Sequence, residues 1–311
     1  MTRRYTLLAW SAAVCTYLLI VLGAVVRITG SGLGCGNHWP LCNGRLFPPL
    51  DDIGTVIEWS HRLVAGLVTI LVVALAGYTV WLRRRAPFVN PGQLKRAPFV
   101  NPGQLKRAPF VDPGLTPGVR KPTAPSVALG LLILQILLGA ITVKLELPPW
   151  TVILHLATAM LLFATLLLVA RESREGAQHA APLHVSAVLV LAFVTVLFGA
   201  LTANLGAAVA CSGFPLCNGQ VWPQAGTLAQ IHWVHRLLAY GLAIAAAVWA
   251  MRMQGRGPRI VLALVALQVG LGAATVLLGL PRGLQAAHLA TGTAVWAAVV
   301  LASHQTKAPM V

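Results

Sequence analysis

The sequence predicts an all-α membrane protein in which eight transmembrane helices form two tandem, pseudo-symmetric four-helix bundles. The membrane class follows from composition: 57% of the 311 residues are hydrophobic, only 10% are charged, and the mean hydropathy is +0.77. Ordinary soluble domains are less apolar and carry more charge. The two bundles follow from an internal repeat, in which the segment Glu58–Arg62 (EWSHR) returns as His232–Arg236 (HWVHR).

Eight apolar windows of about 20 residues predict the transmembrane helices, since that length crosses the hydrocarbon core. The windows are 7–26, 58–82, 126–143, 150–170, 184–204, 228–251, 259–278 and 283–303. Buried helices of a soluble protein are the alternative, but so many long apolar runs with so few charges argue against them. The first window follows Arg3 and Arg4 as a signal peptide would. It is long, however, and no convincing cleavage site precedes Gly30, so we expect a retained span.

Basic residues predict the orientation of the bundle in the cell membrane. One set of loops and ends holds most of them: Arg3, Arg4, the run 83–121, Arg171, Arg174, Arg252, Arg256, Arg259 and Lys307. The opposite loops hold only Arg45, Lys144 and Arg282. The positive-inside rule then places both termini in the cytoplasm, so that the even-numbered helices begin outside. This topology and attraction to anionic lipid explain the net charge of +16 without nucleic-acid binding.

The internal repeat divides the chain into domains of residues 1–175 and 176–311. Pro-Leu-Cys-Asn-Gly stands at both 40–44 and 215–219, and the segments 135–140 and 155–158 match 268–273 and 288–291. Four helices per unit preserve orientation, so we expect an axis along the membrane normal to relate the halves. The first half alone has an insertion at about 85–122, made of 11-residue repeats rich in Pro and Gly. A slipped duplication in a tolerant loop explains it better than a binding role.

Two histidines recur in each half, and all four are predicted within about two turns of the external ends of the even-numbered helices. They are His61, His155, His235 and His288. A haem between two helices of a bundle can receive one axial imidazole from each. The repeat then pairs His61 with His155 and His235 with His288. Polar packing or proton relay is the alternative for a lone membrane histidine, and recurrence favours ligation.

Zinc is a less favoured metal, and the other histidines are not predicted to be ligands. Neither half supplies the three or four clustered ligands usual for zinc. The remaining histidines that lack a repeat partner are interpreted as loop or interfacial residues, and they are His38, His179, His184 and His304.

Arginine and tryptophan flank the first histidine of each half. Arg62 and Arg236 are candidates for bidentate contact with a haem propionate, or else for interfacial anchors that extend to the headgroups. Trp59 and Trp233 either stack on a macrocycle or belong to the interfacial aromatic belt, and the belt is the favoured interpretation.

The repeats differ three residues before that histidine, where Glu58 of the first half corresponds to His232 of the second. A carboxylate beside a haem can relay protons, stabilise positive charge or activate water. The alternative is a charge placed favourably on the helix macrodipole. The difference suggests that the first half performs chemistry and the second handles electrons.

Four cysteines lie in equivalent external loops. We expect Cys35 to pair with Cys42 and Cys211 with Cys217, because both loops face an oxidising compartment. Closing such a loop contributes about 2 to 3 kcal/mol. A structural role is favoured over redox cycling by a partner. Cys15 lies inside the first helix as a small apolar residue.

With these motifs together, the chain resembles the haem A synthases, integral membrane enzymes that make the cofactor of cytochrome oxidases. The resemblance spans both halves but excludes the insertion. It rests on 23–27 (GAVVR), 29–35 (TGSGLGC), 39–44 (WPLCNG), Glu58-x-x-His61-Arg62 and the three further histidines.

The resemblance implies oxidation of the C8 methyl group of haem O to a formyl group, through successive hydroxylations and loss of water. It implies that His61 and His155 hold the substrate or product haem, with Glu58 as the essential carboxylate. It further implies that His235 and His288 ligate an electron-passing haem B. The first cysteine pair matches one important in some members, and the second pair occurs only in certain branches. Haem O synthase and cytochrome oxidase assembly factors are the expected partners.

Two rival classes use the same residues. A dihaem electron-transfer protein that oxidises quinol or another carrier would need the four histidines without altering either porphyrin. A transporter is the other class, since tandem repeats with intramembrane ionisable residues also occur there. For methyl oxidation, the iron must belong to a haem, because no non-haem iron triad is visible in the sequence.

Overall fold

The computed structural model describes residues 3–49, 51–85, 124–175, 187–223, 226–253 and 255–304. It contains eight long helices, α1 (Arg3–Ile28), α2 (Ile53–Arg85), α3 (Ala124–Lys144), α4 (Pro149–Glu175), α5 (Ala187–Asn204), α6 (Gly226–Arg252), α7 (Arg256–Leu277) and α8 (Arg282–Ser303). All eight are long and apolar enough to cross a membrane. The eight predicted spans are therefore confirmed. The repeats from 86 onwards, His179, His184 and Lys307 lie outside the described residues.

The helices place small residues inside and large apolar residues outside, as expected when lipid is the solvent. On α1, Ala9, Ala12 and Ala13 are buried, whereas Leu7 and Leu18 are more than half exposed. Small residues let neighbouring backbones approach closely, and leucine in lipid loses nothing by facing outward. Cys15 is a free thiol packed against this core, as predicted.

The helices of each half contact one another in the same cyclic order. In the first half, α1 packs on α2, α2 on α3, α3 on α4 and α4 on α1. In the second half, α5, α6, α7 and α8 close a ring in the same sequence. The halves meet through the first and fourth helix of each, in the contacts α1 with α8, α4 with α8 and α4 with α5.

Hydrogen bonds cross between the halves at this interface. The Tyr17 hydroxyl on α1 donates to the carbonyl of Ala290 on α8 at 3.2 Å. The Trp296 indole on α8 donates to the carbonyl of Met160 on α4 at 2.9 Å. His304 follows α8 directly and is buried, so it lies at the predicted helix end but does not face the interface with lipid. These polar contacts connect α8, the last helix of the second half, to α1 and α4 of the first.

The helices α3 and α7 end in the same turn with different residues. At the end of α3, the N–H of Leu147 donates to the carbonyl of Thr142, and Glu146 and Leu147 have φ values of 60° and 63°. At the end of α7, Leu280 donates to Thr275, with φ values of 73° at Gly279 and 62° at Leu280. Glycine enters this left-handed region freely, whereas Glu146 does so at a cost.

Candidate functional site

Each of the four predicted histidines packs its ring edge against a glycine of the preceding helix. A Cβ built on the glycine would lie 2.9 to 3.2 Å from the imidazole Cε1, closer than side chains normally come. The pairs are Gly23 with His61, Gly139 with His155, Gly199 with His235 and Gly272 with His288. The side-chain-free surface of each glycine therefore admits an imidazole between two helices.

All four imidazoles present the same nitrogen to the neighbouring helix. Their Nδ1 atoms are buried and make no hydrogen bond, although each histidine as a whole is only half-buried. In three pairs, the backbone carbonyl four residues before the glycine makes an electrostatic contact with the histidine, and these carbonyls belong to Gln135, Thr195 and Gln268. A carbonyl beside Nδ1 favours a proton there, which leaves the Nε2 lone pair available to a metal.

The histidines of α4 and α8 also have an amide partner at Nε2. The Nε2 atom of Gln135 lies 3.0 Å from Nε2 of His155, and the Nε2 atom of Gln268 lies 3.2 Å from Nε2 of His288. The carboxamide oxygens of both glutamines are buried without a hydrogen bond. One histidine in each half therefore has an amide at its metal-binding nitrogen.

The histidines interact in the pairs that the repeat predicts. His61 is an electrostatic neighbour of His155, and His235 of His288. Within the ranges that the structure describes, no group of three or more His, Cys, Asp or Glu side chains could hold a metal ion. Two neighbouring imidazoles with buried Nδ1 atoms suit the two protein ligands of a haem better than the larger ligand set of a zinc site.

Glu58 is the buried acid of the first half, and two donors hold its carboxylate. The backbone N–H of Cys35 donates to Oε2 at 2.8 Å, and the Arg62 guanidinium donates to Oε1 at 2.5 Å. Only 3% of Glu58 is exposed. The arginine balances a charge that would be costly to bury alone, so the carboxylate is fixed in place one helical turn from His61.

The second half has a cation and an imidazole at the equivalent positions. His232 is buried, and its Nδ1 contacts the carbonyl of Ala207 at 3.1 Å. The Arg236 guanidinium donates to the carbonyls of Cys211, Gly213 and Leu216 at 2.7 to 2.9 Å. No acidic side chain among the described residues forms an ion pair with Arg236.

The external loops explain why Cys-Asn-Gly occurs twice. Asn43 and Gly44 have φ values of 49° and 76°, and Asn218 and Gly219 have 53° and 75°. Two consecutive positive φ values form the type I′ turn that favours Asn-Gly, and each turn connects a pair of bridged residues, Cys42 with Arg45 and Cys217 with Gln220.

Both expected disulfides are present, Cys35 with Cys42 and Cys211 with Cys217. Each bond closes its loop above the helix that carries the first histidine of that half. In the first half, the loop is also bonded to Glu58 through the N–H of Cys35.

The arginine that follows the first histidine of each half binds the neighbouring loop. Arg62 donates to the carbonyls of His38 and Leu41 at 2.7 and 2.8 Å, as Arg236 does to its own loop. Contact of either arginine with a propionate stays a prediction. The tryptophans also contact the loops: Trp59 donates to the carbonyl of Leu46 at 3.0 Å. Trp233 is only 4% exposed and packs beside the Cys211 disulfide, so the interfacial belt was the wrong interpretation for it.

Asp52 directly precedes α2 and lies outside the membrane-spanning segment. Its carboxylate accepts a hydrogen bond of 2.6 Å from the backbone N–H of Thr55, the geometry of a helix N-cap. This bond and a further one from the Thr55 side chain hold the pKa of Asp52 below its ordinary value. The cap fixes the start of the helix that presents Glu58 and His61.

The sequence analysis missed the glycines and glutamines that contact the histidines. Their signal was visible, because Gln135 and Gly139 match Gln268 and Gly272 in the repeat. A spacing of four places both residues of each pair on one helix face. The repeat was used only to define the two halves, so the partners of the imidazoles were not identified.

The chain is similar to known proteins of one family. A family model described as COX15-CtaA, cytochrome oxidase assembly protein, matches residues 6–54 and 51–300. A heme A synthase of Bacillus licheniformis is 30% identical over 295 residues, which cover 87% of this chain and 85% of that protein. A heme A synthase of Shouchella clausii is 34% identical over 238 residues, covering 73% and 68%. One of Alkalihalophilus pseudofirmus is 34% identical over 233 residues, covering 71% and 67%.

Proposed function

The chain belongs to the COX15-CtaA family of cytochrome oxidase assembly proteins, and from that membership we propose its step in haem A biosynthesis: oxidation of the C8 methyl group of haem O to a formyl group. Written as a half-reaction, a methyl group and one water give a formyl group, four protons and four electrons. The enzyme is therefore a membrane oxidoreductase with haem O as substrate and haem A as product.

The substrate haem binds between α2 and α4 of the first half, with His61 and His155 as its axial ligands. Support comes from the two imidazoles being electrostatic neighbours, each with its Nδ1 atom sealed against a glycine. Imidazoles held in this way cannot rotate freely, so they orient the macrocycle relative to Glu58.

His235 and His288 hold haem B in the second half, where the same arrangement recurs. Haem B supplies one-electron transfer when it is bound. Arg236 adds a positive charge close to this site that no acidic residue offsets among the described residues. A nearby cation stabilises the reduced, less positive form of a redox centre, and this suits the second half to holding electrons.

The observation that carries the proposal is the buried carboxylate of Glu58 beside the first histidine pair and not beside the second. Its two oxygens are held by the Cys35 N–H and by Arg62. A carboxylate fixed there accepts protons released from the methyl carbon, or holds a water molecule in the attacking position. In the second half, the His232 imidazole donates to the carbonyl of Ala207 and offers no such carboxylate.

The proposal includes the architecture and its orientation. Two tandem bundles, 1–175 and 176–311, are related by an axis along the membrane normal, which is supported by the identical cyclic order of their helix contacts. Both termini are cytoplasmic, and the haem sites lie toward the outside. The arginine-rich helix ends and the disulfide-bonded loops at the opposite face support this orientation.

The test is to identify the haems that the protein makes. The full chain is produced in cells with and without a co-expressed haem O synthase, and the non-covalent haems are extracted and identified by chromatography and mass. We expect haem A only when haem O is supplied.

Glu58→Gln is the matched variant, and it should bind haem but yield little haem A. Wild-type protein that carries a normal haem complement and returns haem O unchanged would overturn the proposal in favour of a dihaem electron carrier. Protein without Soret absorption would favour a transporter.

A further inference from the structure

We propose that Gln135 and Gln268 are positioning residues that make His155 and His288 the exchangeable iron ligands of their halves. This inference rests on the proposed function, because it assumes that the four histidines bind haem. In this proposal, His61 and His235 bind iron first and release it last. His155 and His288 bind second, each exchanging a glutamine N–H for the iron, and each returning to the glutamine when the iron leaves.

The geometry that carries the proposal is the contact of a glutamine amide with Nε2 of one imidazole in each half. The side-chain amide nitrogen of Gln135 lies 3.0 Å from Nε2 of His155, and that of Gln268 lies 3.2 Å from Nε2 of His288. An amide nitrogen can only donate, so its N–H donates to the Nε2 lone pair. That lone pair is the one an iron atom requires.

The exchange involves one bond for another and no proton or electron. The Nε2 lone pair gives up the N–H of the glutamine as the bond to iron forms. The ligand-free state of His155 and His288 is thereby stabilised by one hydrogen bond, and a buried acceptor never remains without a partner. His61 and His235 lack such a donor at Nε2 among the described residues, so no hydrogen bond competes with iron there.

The equivalent helix positions show that the amide is specific to the second ligand. Four residues before the glycines of α1 and α5 stand Leu19 and Thr195, where α3 and α7 have Gln135 and Gln268. Leucine offers no donor, and the Thr195 hydroxyl donates to the carbonyl of Leu191 in its own helix. The fold thus provides the same glycine contact four times and the amide only twice.

An exchangeable second ligand suits a site through which haem passes. A substrate haem must be bound firmly enough to be oriented and then released as product. With His155 returning to Gln135, release requires breaking one strong iron bond at His61, while the other is already replaced. The second half keeps the same device, so its haem B is expected to open one axial position more readily than a bis-histidine haem without the amide.

The test measures ligand exchange on the haem-loaded, full-length protein. In the reduced protein, carbon monoxide competes with the second histidine, and haem release is followed by transfer to an excess of apomyoglobin. Gln135→Leu and Gln268→Leu remove the donor and leave the displaced Nε2 unpaired. We expect about 5-fold weaker carbon monoxide binding and about 5-fold slower haem release from the altered half, the effect of one neutral hydrogen bond.

Leu19→Met is the matched control, because it alters the equivalent position of α1, where there is no donor to remove, and both measurements should stay at the wild-type values. Gln135→Met and Gln268→Met replace the leucine variants if these do not fold. Unchanged or stronger carbon monoxide binding in the glutamine variants would overturn the inference and leave the proposed function intact. Loss of haem binding from wild-type protein itself would overturn both.

Discussion

The two halves of the molecule share one scaffold and differ in the charge beside the first histidine. In the first half, Glu58 and Arg62 form a buried ion pair that the Cys35 N–H completes. In the second half, His232 and Arg236 both turn to main-chain carbonyls of their loop. With histidine in place of the glutamate, the arginine of the second half has no acidic partner among the described residues. Under the proposed function, the histidine and glycine framework would hold the haem in both halves, and the residue one turn earlier would determine the chemistry.

Glu58→Gln should produce the largest difference between the halves. Glutamine keeps an acceptor for the Cys35 N–H but removes the charge and the basic oxygen. We expect haem A formation to fall about 100-fold or more, the contribution of a general base, while haem content stays at the wild-type level. Extraction and chromatography of the haems measure both quantities.

His232→Gln is the matched change in the second half, and more than half of the haem A formation should remain. An equal loss in both variants would contradict the comparison, since it would mean that the two positions act only through packing.

Removing one disulfide at a time is the next largest test. The pair Cys35→Ser and Cys42→Ser loosens the N–H that fixes Glu58, so haem A formation should fall about 10-fold, the effect of one hydrogen bond to a charged group. The pair Cys211→Ser and Cys217→Ser should lower the free energy of unfolding by about 2 to 3 kcal/mol, but with little effect on turnover per folded molecule. Melting curves and haem extraction separate the two effects. Equal turnover in both double variants would contradict the coupling.

Adding one methyl group at the glycines compares the tightness of the two haem sites. A Cβ would lie 2.9 Å from His235 at Gly199 and 3.2 Å from His61 at Gly23. We expect Gly199→Ala to displace the imidazole and destabilise the protein by about 1 to 3 kcal/mol, and Gly23→Ala to do so less. The haem content of each half, read from the Soret band, measures the displacement.

Gly66→Ala is the control for that experiment, because a Cβ at this α2 position meets nothing within 4 Å. It should leave the haem content unchanged. A normal Soret band in Gly199→Ala would show that the contact does not position His235.

The smallest expected effect lies in the turns that end α3 and α7. Glu146 has a left-handed φ of 60° where Gly279 has 73°. Glu146→Gly should therefore stabilise the protein by about 1 kcal/mol, and Gly279→Ala should destabilise it by a similar amount. Thermal unfolding followed by circular dichroism checks both variants. A shift of the same sign in the two would contradict the equivalence of the turns.

The sequence was sufficient for the parts of the molecule that depend on side-chain type and spacing. Apolar length predicts the eight spans, and the Cys-Asn-Gly repeat predicts two equivalent loops with a disulfide in each. Contacts made by the main chain could not be predicted in this way. The donor to Glu58 is a backbone N–H, and the acceptors of Arg62 and Arg236 are carbonyls, so no residue letter records them. Trp233 was misjudged for the same reason, because its burial depends on how the loop closes over it.

The glycine contacts leave one side of the first bundle without such a close approach between helices. An imidazole packs against Gly23 between α1 and α2, and another packs against Gly139 between α3 and α4. The helices α4 and α1 both touch the neighbouring half, which lies beside the contact between them. Among the described residues, only the contact between α2 and α3 has neither a histidine–glycine pair nor the other half beside it. Under the proposed function, a hydrophobic substrate dissolved in the bilayer would enter laterally between these two helices, without first crossing water.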